Sequence, residues 1–169
     1  MADLQTLLTD HRKAVTAFLA AARSVPLAEW AEPRAPGKWS PGQVTEHVAN
    51  AYETNRGVLQ GGLARPAAPR FLRPLIGLML GWTVLKRGRF GSGSKSPKPF
   101  RPSASPASQE ALTGRLQTVA DRFEGDITAA AGRGQDAIQH PIFGKLRLTD
   151  FLRLDEIHTN HHRPQLSLP

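Results

Sequence analysis

The sequence contains no cysteine, so it can form neither disulfide bonds nor thiolate metal ligands. A bound metal ion must therefore be held by histidine or carboxylate side chains. Long apolar runs are also scarce. The most apolar stretch, residues 71–85, contains Arg73, Pro74 and two glycines and falls short of the roughly 20 residues that cross a bilayer. The N-terminus lacks the basic, apolar and small-residue regions of a secretory signal, so we expect no transmembrane segment and a cytoplasmic location.

Acidic residues are outnumbered, with 14 Asp and Glu against 22 Lys and Arg and a net charge of +8. Such a balance can indicate binding to nucleic acid or anionic lipid. The densest basic run, however, lies in the Gly-, Ser- and Pro-rich segment 86–105, and the remaining arginines are interspersed with acidic residues. We therefore interpret the charge as a solvated basic surface and expect no nucleic-acid partner. The composition leaves the role of the segment 86–105 open.

Apolar residues recur at three- and four-residue spacing in four long segments, which predicts amphipathic helices. The predicted helices cover about residues 3–23, 41–60, 106–131 and 150–163. Ser40-Pro41-Gly42-Gln43 has the pattern of a capped helix start, and Thr149 is the predicted cap of the last helix.

Between the second and third helices, residues 71–86 predict a short extra helix, and residues 87–105 a long loop with mobile parts. The stretch from His140 to Leu146 predicts an ordered turn, and period-two alternation is too short anywhere to predict a sheet. The length of 169 residues fits one domain, 1–169. We expect an all-α fold, a four-helix bundle.

Three histidines are predicted to face the interior of this bundle. His158 and His162 are four residues apart, so they project from the same face of the last helix, the face that also carries Phe151 and Leu154. His47 follows the apolar rhythm of the second helix. Three converging imidazoles would form an open divalent-metal site of the kind found in catalytic zinc proteins. The alternative is that they are core histidines with ordinary hydrogen-bond partners.

The remaining histidines and the nearby polar residues have less specific patterns. His11 lies beside an apolar stripe and is interpreted as a core-edge or pocket-wall residue rather than a ligand, whereas His140 is interpreted as structural. Metal-bound histidines usually donate their far N–H group to an oxygen. Candidate partners flanking the three histidines are Glu46, Asn50, Asp155 and Glu156, with His161 as a further neighbour.

These motifs resemble those of the DinB-like superfamily. Residues 38–49, KWSPGQVTEHVA, resemble its second-helix signature, and residues 140–144, HPIFG, with 148–149 and 158–162 resemble its closing turn and last helix. The resemblance implies an up-down-down-up bundle that holds zinc or nickel through residues equivalent to His47, His158 and His162. Characterised relatives include S-transferases and isomerases that use low-molecular-weight thiols.

The first functional hypothesis is accordingly a metal-dependent transferase that activates a low-molecular-weight thiol toward an electrophilic small-molecule substrate. A metal-assisted hydrolase is a close alternative. A third hypothesis is a non-catalytic bundle that binds an apolar ligand or a membrane surface through Trp39, Trp82 and residues 71–85. The sequence identifies no catalytic residue apart from the proposed ligands, and it leaves open whether the chain forms a homodimer.

Overall fold

The computed structural model describes residues 3–62, 83–91, 96–141 and 143–167. Within these ranges, four long helices account for most of the structure. They are α1 (Leu4–Ser24), α2 (Pro41–Leu59), α3 (Gln109–Gly132) and α4 (Leu148–His162). The four predicted helices are thus confirmed to within a few residues. Most of the predicted extra helix, together with Trp82, lies outside the described residues, although residues 83–87 are helical.

Capping residues account for two of the helix starts. The Ser40 hydroxyl accepts a hydrogen bond from the Gln43 N–H, and the Gln43 side chain accepts one from the Ser40 N–H. This reciprocal pair is the capping box predicted from the sequence. Ser108 caps α3 with a single bond, its hydroxyl accepting from the Ala111 N–H, so that helix begins after Ser108 and not near residue 106.

The predicted cap of α4 is wrong. The helix begins at Leu148, so Thr149 lies inside its first turn. The Leu148 N–H donates a hydrogen bond to the Asp136 carbonyl at 2.9 Å. A tertiary backbone contact therefore satisfies a donor that a capping side chain would otherwise satisfy.

Hydrogen bonds between helices define the order of their directions. Gln109, at the start of α3, bonds carbonyls at the end of α1, while Glu124 bonds His11, so these two helices are antiparallel. Arg115 near the start of α3 bonds Asn50, and Asp126 further along bonds Arg56, so α2 and α3 are parallel.

Helices α2 and α4 are antiparallel, because His47 contacts His162 whereas Asn55 bonds Asp155. Combining the three relations gives up, down, down and up for α1 to α4. The topology implied by the family resemblance is confirmed. It places one end of α2 against the C-terminal end of α4, where the histidines lie.

A small hairpin precedes α4 and contradicts the expectation that the chain forms no sheet. Strands β1 (Ala137–His140) and β2 (Gly144–Arg147) pair antiparallel, with Ile138 opposite Leu146. Gly144 adopts a φ of 70°, a left-handed conformation that glycine accepts without a steric penalty. Each strand has only four residues, which is too short for a period-two pattern to be recognised.

The core lies between the four helices and consists mainly of aromatic and branched aliphatic side chains. Those with essentially no exposure include Phe18, Leu19, Val48, Leu116, Phe123, Ile127, Phe151 and Leu152. Burial of such side chains supplies the main favourable free energy of folding. In the described part of the chain, no helix is both long enough and apolar enough to span a bilayer.

Candidate metal centre

The three histidines predicted to face inward meet at one end of the bundle. The Nε2 atom of His47 lies 3.2 Å from Nε2 of His158 and 3.1 Å from Nε2 of His162. His47 comes from α2 and the other two from successive turns of α4, which runs antiparallel to it. Together they form a group that could hold a metal ion, with one nitrogen from each ring.

The far nitrogens of two rings fix where their protons lie. Nδ1 of His47 is 2.6 Å from the Phe100 carbonyl oxygen, and Nδ1 of His162 is 3.1 Å from Oε1 of Gln165. Both oxygens can only accept, so each Nδ1 must carry the proton and donate it. In the neutral rings, two unprotonated Nε2 atoms then face each other at 3.1 Å. Opposed lone pairs at that distance repel each other, and a cation bound by both nitrogens would relieve that repulsion.

Burial keeps these rings neutral. It lowers the pKa of His162 to about 3, with a further contribution from neighbouring His47. It also lowers the pKa of His158 well below its usual value, with His162 and His47 adding to the effect. The pKa of His47 is lowered by burial as well, although the hydrogen bond to Phe100 opposes the shift. Neutral imidazole is the form that binds metal ions.

The nitrogen spacing fits a small divalent ion. Metal–nitrogen bonds of about 2.0–2.1 Å in a tetrahedral site give nitrogen–nitrogen separations of about 3.3 Å. The two separations from His47, 3.1 and 3.2 Å, are close to that value. Imidazole ligands suit zinc, nickel, copper and iron. Three protein ligands leave a further coordination position, which is the arrangement of catalytic rather than structural sites.

The open side of the cluster faces a cavity of about 1140 Å³ that all three histidines line. Aromatic rings form part of its wall. The Trp39 ring lies 4.8 Å from the His47 ring, and the Phe90 ring lies 5.3 Å from the His158 ring. Pockets that bind small molecules are typically concave and apolar with a few polar groups, which is the composition seen here.

Charged and polar residues occupy two other parts of this cavity. Arg34, Lys38 and Arg101 line it with partly or fully exposed side chains. Asn55 and Asp155 line it from the buried interior. The cavity therefore has a cationic rim and a polar inner wall, with the histidines as a third polar group.

Part of the basic, proline-rich segment 86–105 is fixed against α2. Lys98–Phe100 form a short 3-10 turn, and the Phe100 carbonyl is the acceptor for His47. Asn50 donates to the Arg101 carbonyl at 3.1 Å, and Glu46 accepts from both the backbone N–H and the hydroxyl of Ser103. We call the described residues 96–105 the strap. It orients one ring of the cluster and covers one side of the cavity.

The residues expected to orient the histidines have other partners. Glu46 and Asn50 hold the strap, as just described. Asp155 accepts a hydrogen bond from Asn55 Nδ2 at 2.7 Å, and burial raises its pKa to about 8, against the lowering effect of that bond.

His161 is half-buried, and its Nε2 lies 3.5 Å from the Gln165 amide nitrogen. Its ring also contacts the His162 ring edge-on, with 4.9 Å between the ring centres, but it is not one of the three converging ligands. Glu156 makes no hydrogen bond to any of the three rings in the part of the chain that the structure describes, and burial raises its pKa, with Asp10 adding to the shift.

Sequence reasoning missed Phe100 and Gln165, the groups that hydrogen-bond the far nitrogens. Gln165 lies three residues after His162, a spacing at which side chains meet on a helical turn, so this partner had a recognisable signal. The Phe100 partner is a backbone carbonyl, which every residue possesses, so its role has no signature in the sequence.

The other two histidines lie outside the cluster. His140 is buried and accepts the Phe143 N–H at Nδ1; burial lowers its pKa to about 4. His11 is fully buried, with Nδ1 2.8 Å from Glu124 and Nε2 2.8 Å from the Tyr52 hydroxyl. It does not line the cavity, so the pocket-wall interpretation is wrong, and its full burial places it in the core.

A family model described as the DinB superfamily matches residues 8–166, which include most of α1, the other three long helices, the hairpin and the three clustered histidines. No curated protein and no solved structure matches the chain.

Proposed function

The chain belongs to the DinB superfamily, and from that premise we propose that it is a metal-dependent transferase, in which the ion activates a low-molecular-weight thiol toward an electrophilic substrate. His47, His158 and His162 would hold the ion, with zinc or nickel the favoured metals. One observation carries the proposal: three neutral Nε2 atoms converge at the wall of a cavity large enough for a small molecule and its co-substrate. The low-molecular-weight thiol pool is a feature of the cytoplasm, which is the location we propose.

The protein groups around the cluster have separable tasks in this scheme. Phe100 and Gln165 fix the proton positions and orientations of two rings. Trp39 and Phe90 exclude water from the side of the cluster that they cover. A bound divalent ion would supply Lewis acidity, which lowers the pKa of a thiol and so raises the fraction of nucleophilic thiolate at neutral pH. Arg34, Lys38 and Arg101 offer positive charge to an anionic co-substrate.

The first test is elemental analysis of protein purified without a polyhistidine tag. We expect about one transition-metal ion per chain in the wild type, and loss of that ion in His47→Ala, His158→Ala and His162→Ala. His161→Ala is the matched control, because this histidine lies on the same turn of α4 but outside the converging group. Retention of stoichiometric metal in all three variants would remove the basis of the proposal.

The second test measures consumption of a thiol in the presence of an activated halide or epoxide. Wild-type protein should consume the thiol in a metal-dependent reaction, and His158→Ala should not. The metal-assisted hydrolase predicts a different outcome, which is turnover of an ester or amide without added thiol. Binding of apolar ligands or vesicles that survives chelation, without any turnover, would favour the non-catalytic bundle.

A further inference from the structure

A pair of buried polar side chains on the inner wall of the cavity has two oxygens without partners. Asn55 and Asp155 are 6% and 2% exposed, and the Asn55 Nδ2 donates to Asp155 Oδ1 at 2.7 Å. The remaining oxygens, Asn55 Oδ1 and Asp155 Oδ2, are buried and have no hydrogen-bond partner among the described residues. Most buried polar atoms are hydrogen-bonded, so two adjacent exceptions need a physical reason.

Their position in the bundle relates them to the histidine cluster. On α2, His47, Ala51 and Asn55 are spaced four residues apart, and all three line the cavity. On α4, Asp155 lies three residues before His158 on the same face. At a rise of about 1.5 Å per residue, Asp155 lies about 4.5 Å from His158 along the axis of α4, and Asn55 lies about 12 Å from His47 along the axis of α2. The small side chain of Ala51 leaves the space between them open.

The charges of the cavity restrict what could bind there. Arg34, Lys38 and Arg101 line the same cavity, and Asp155 is the one carboxylate among its lining residues in the described structure. A cationic ligand would face these three positive side chains and any divalent ion held by the histidines. A neutral group with an O–H or N–H bond avoids this repulsion and satisfies an acceptor oxygen.

We propose that Asn55 and Asp155 form a recognition site for a neutral hydroxyl or amide group of the small molecule that occupies the cavity. The two unpaired oxygens accept its hydrogen bonds, while the rest of that molecule extends toward the histidines. A hydrogen bond donated to Asp155 Oδ2 favours the ionised carboxylate, so it opposes the effect of burial, which by itself raises the pKa of this group to about 8. The pair thus determines ligand specificity. It favours a ligand that carries a hydrogen-bond donor group over a hydrocarbon thiol of equal size. The idea that the bound molecule carries a thiol rests on the proposed function, whereas the binding of its hydroxyl or amide group by Asn55 and Asp155 does not.

The first experiment uses 1-thioglycerol and its di-O-methyl ether as a matched pair of probes on protein loaded with cobalt(II). Binding is followed by the sulfur-to-metal charge-transfer absorption. We expect the wild type to bind the hydroxyl probe about tenfold more tightly than the ether, because the ether leaves buried acceptors unsatisfied. Asp155→Asn, which replaces an acceptor oxygen with an amino group at constant shape, should reduce this preference to about twofold or less.

Asp121→Asn is the control variant, since Asp121 is exposed on α3 and does not line the cavity; it should keep the full preference. Thermal unfolding is measured alongside. A merely structural pair predicts that Asp155→Asn changes the melting temperature but leaves the probe preference unchanged. Equal affinity of the wild type for the two probes, or a preference that Asp155→Asn leaves intact, overturns the inference without affecting the proposed function.

The second experiment omits both metal and sulfur. Glycerol and its trimethyl ether are titrated into metal-free protein while the Asn55 side-chain amide resonance is followed by NMR. A shift of this resonance with glycerol that the ether does not produce supports the recognition site at Asn55 and Asp155. This holds even where no thiol binds to the cobalt-loaded protein and the proposed function fails. Identical responses to both probes, or none, count against the site whatever the outcome with thiols.

Discussion

Replacing Tyr52 by phenylalanine tests a hydrogen-bonded chain that crosses the bundle core. The Tyr52 hydroxyl lies 2.8 Å from His11 Nε2 and 2.8 Å from Thr159 Oγ1, and all three residues are at most 1% exposed. His11 Nδ1 faces a Glu124 oxygen, which can only accept. The Nδ1 proton of His11 therefore points at Glu124. In the tautomer with its proton at Nδ1, the ring accepts from the Tyr52 hydroxyl at Nε2, and that hydroxyl accepts from Thr159.

The magnitude follows from what the substitution leaves unpaired. Phenylalanine keeps the apolar ring but removes the donor to His11, and an unsatisfied buried acceptor costs about 1–3 kcal/mol. Thr159 loses its acceptor too, although its hydroxyl can turn to a carbonyl in the preceding turn of α4 and recover part of the loss. We expect a total destabilisation of about 2–3 kcal/mol. For a chain of this length that corresponds to a decrease in melting temperature of about 4–12 °C.

Calorimetry and urea unfolding of wild type, Tyr52→Phe and Thr118→Val provide the measurement. Thr118 is exposed and its hydroxyl bonds only within α3, so its substitution should change stability by less than about 0.5 kcal/mol. Metal content should be the same in all three proteins. An unchanged melting temperature in Tyr52→Phe would refute the hydrogen-bond reasoning, and loss of metal would show that the chain supports the histidine cluster.

Three further changes give independent checks. Gln165→Leu removes the acceptor for His162 Nδ1 and should weaken metal binding about 10- to 100-fold in competition with a chromophoric chelator; unchanged affinity would contradict that role. Gly42→Ala would place a Cβ 2.8 Å from Pro106 and from the Trp30 ring nitrogen, so it should destabilise by about 1–3 kcal/mol in urea unfolding, whereas Gly114→Ala, which has open space, should not. Burial lowers the pKa of His140 to about 4, so the unfolded chain binds the proton first as pH falls from about 6.5. Between pH 6.5 and 4, the unfolding free energy of wild type should fall more steeply than that of His140→Gln, by about 1.4 kcal/mol per pH unit, and parallel slopes would contradict this.

The helices were predictable because each has a long apolar stripe of one period. The stripe on α2 also predicted that His47 faces inward, and the four-residue spacing of His158 and His162 predicted that they share a face. To predict that these two faces meet at one end of the bundle, the direction of each helix must also be known. Periodicity contains no information on direction, and here it came from the family resemblance.

Other features had no local pattern to reveal them. The hairpin has four-residue strands, and the start of α4 is set by the Asp136 carbonyl from outside the helix. The composition of residues 86–105 predicts a loop, which is what the strap is in its backbone. Its position over α2 depends on Glu46, Asn50 and Gln43, three ordinary polar residues of an amphipathic helix. Nothing in their spacing distinguishes a side chain that holds a neighbouring segment from one that contacts water.

Two sets of buried polar groups in the bundle differ in a way that separates structure from function. In the set containing His11, Tyr52, Thr159 and Glu124, every group that points inward has a protein partner. Such a set links α1, α2, α3 and α4 and leaves nothing for a ligand to bind. The groups lining the cavity are incomplete: the Nε2 atoms of His47 and His162 face each other in the neutral rings without a donor between them, and the Asn55 and Asp155 oxygens lack partners among the described residues. Since unpaired buried polar groups destabilise the fold, their concentration at a single cavity supports the proposal that this cavity binds the metal ion and the small molecule.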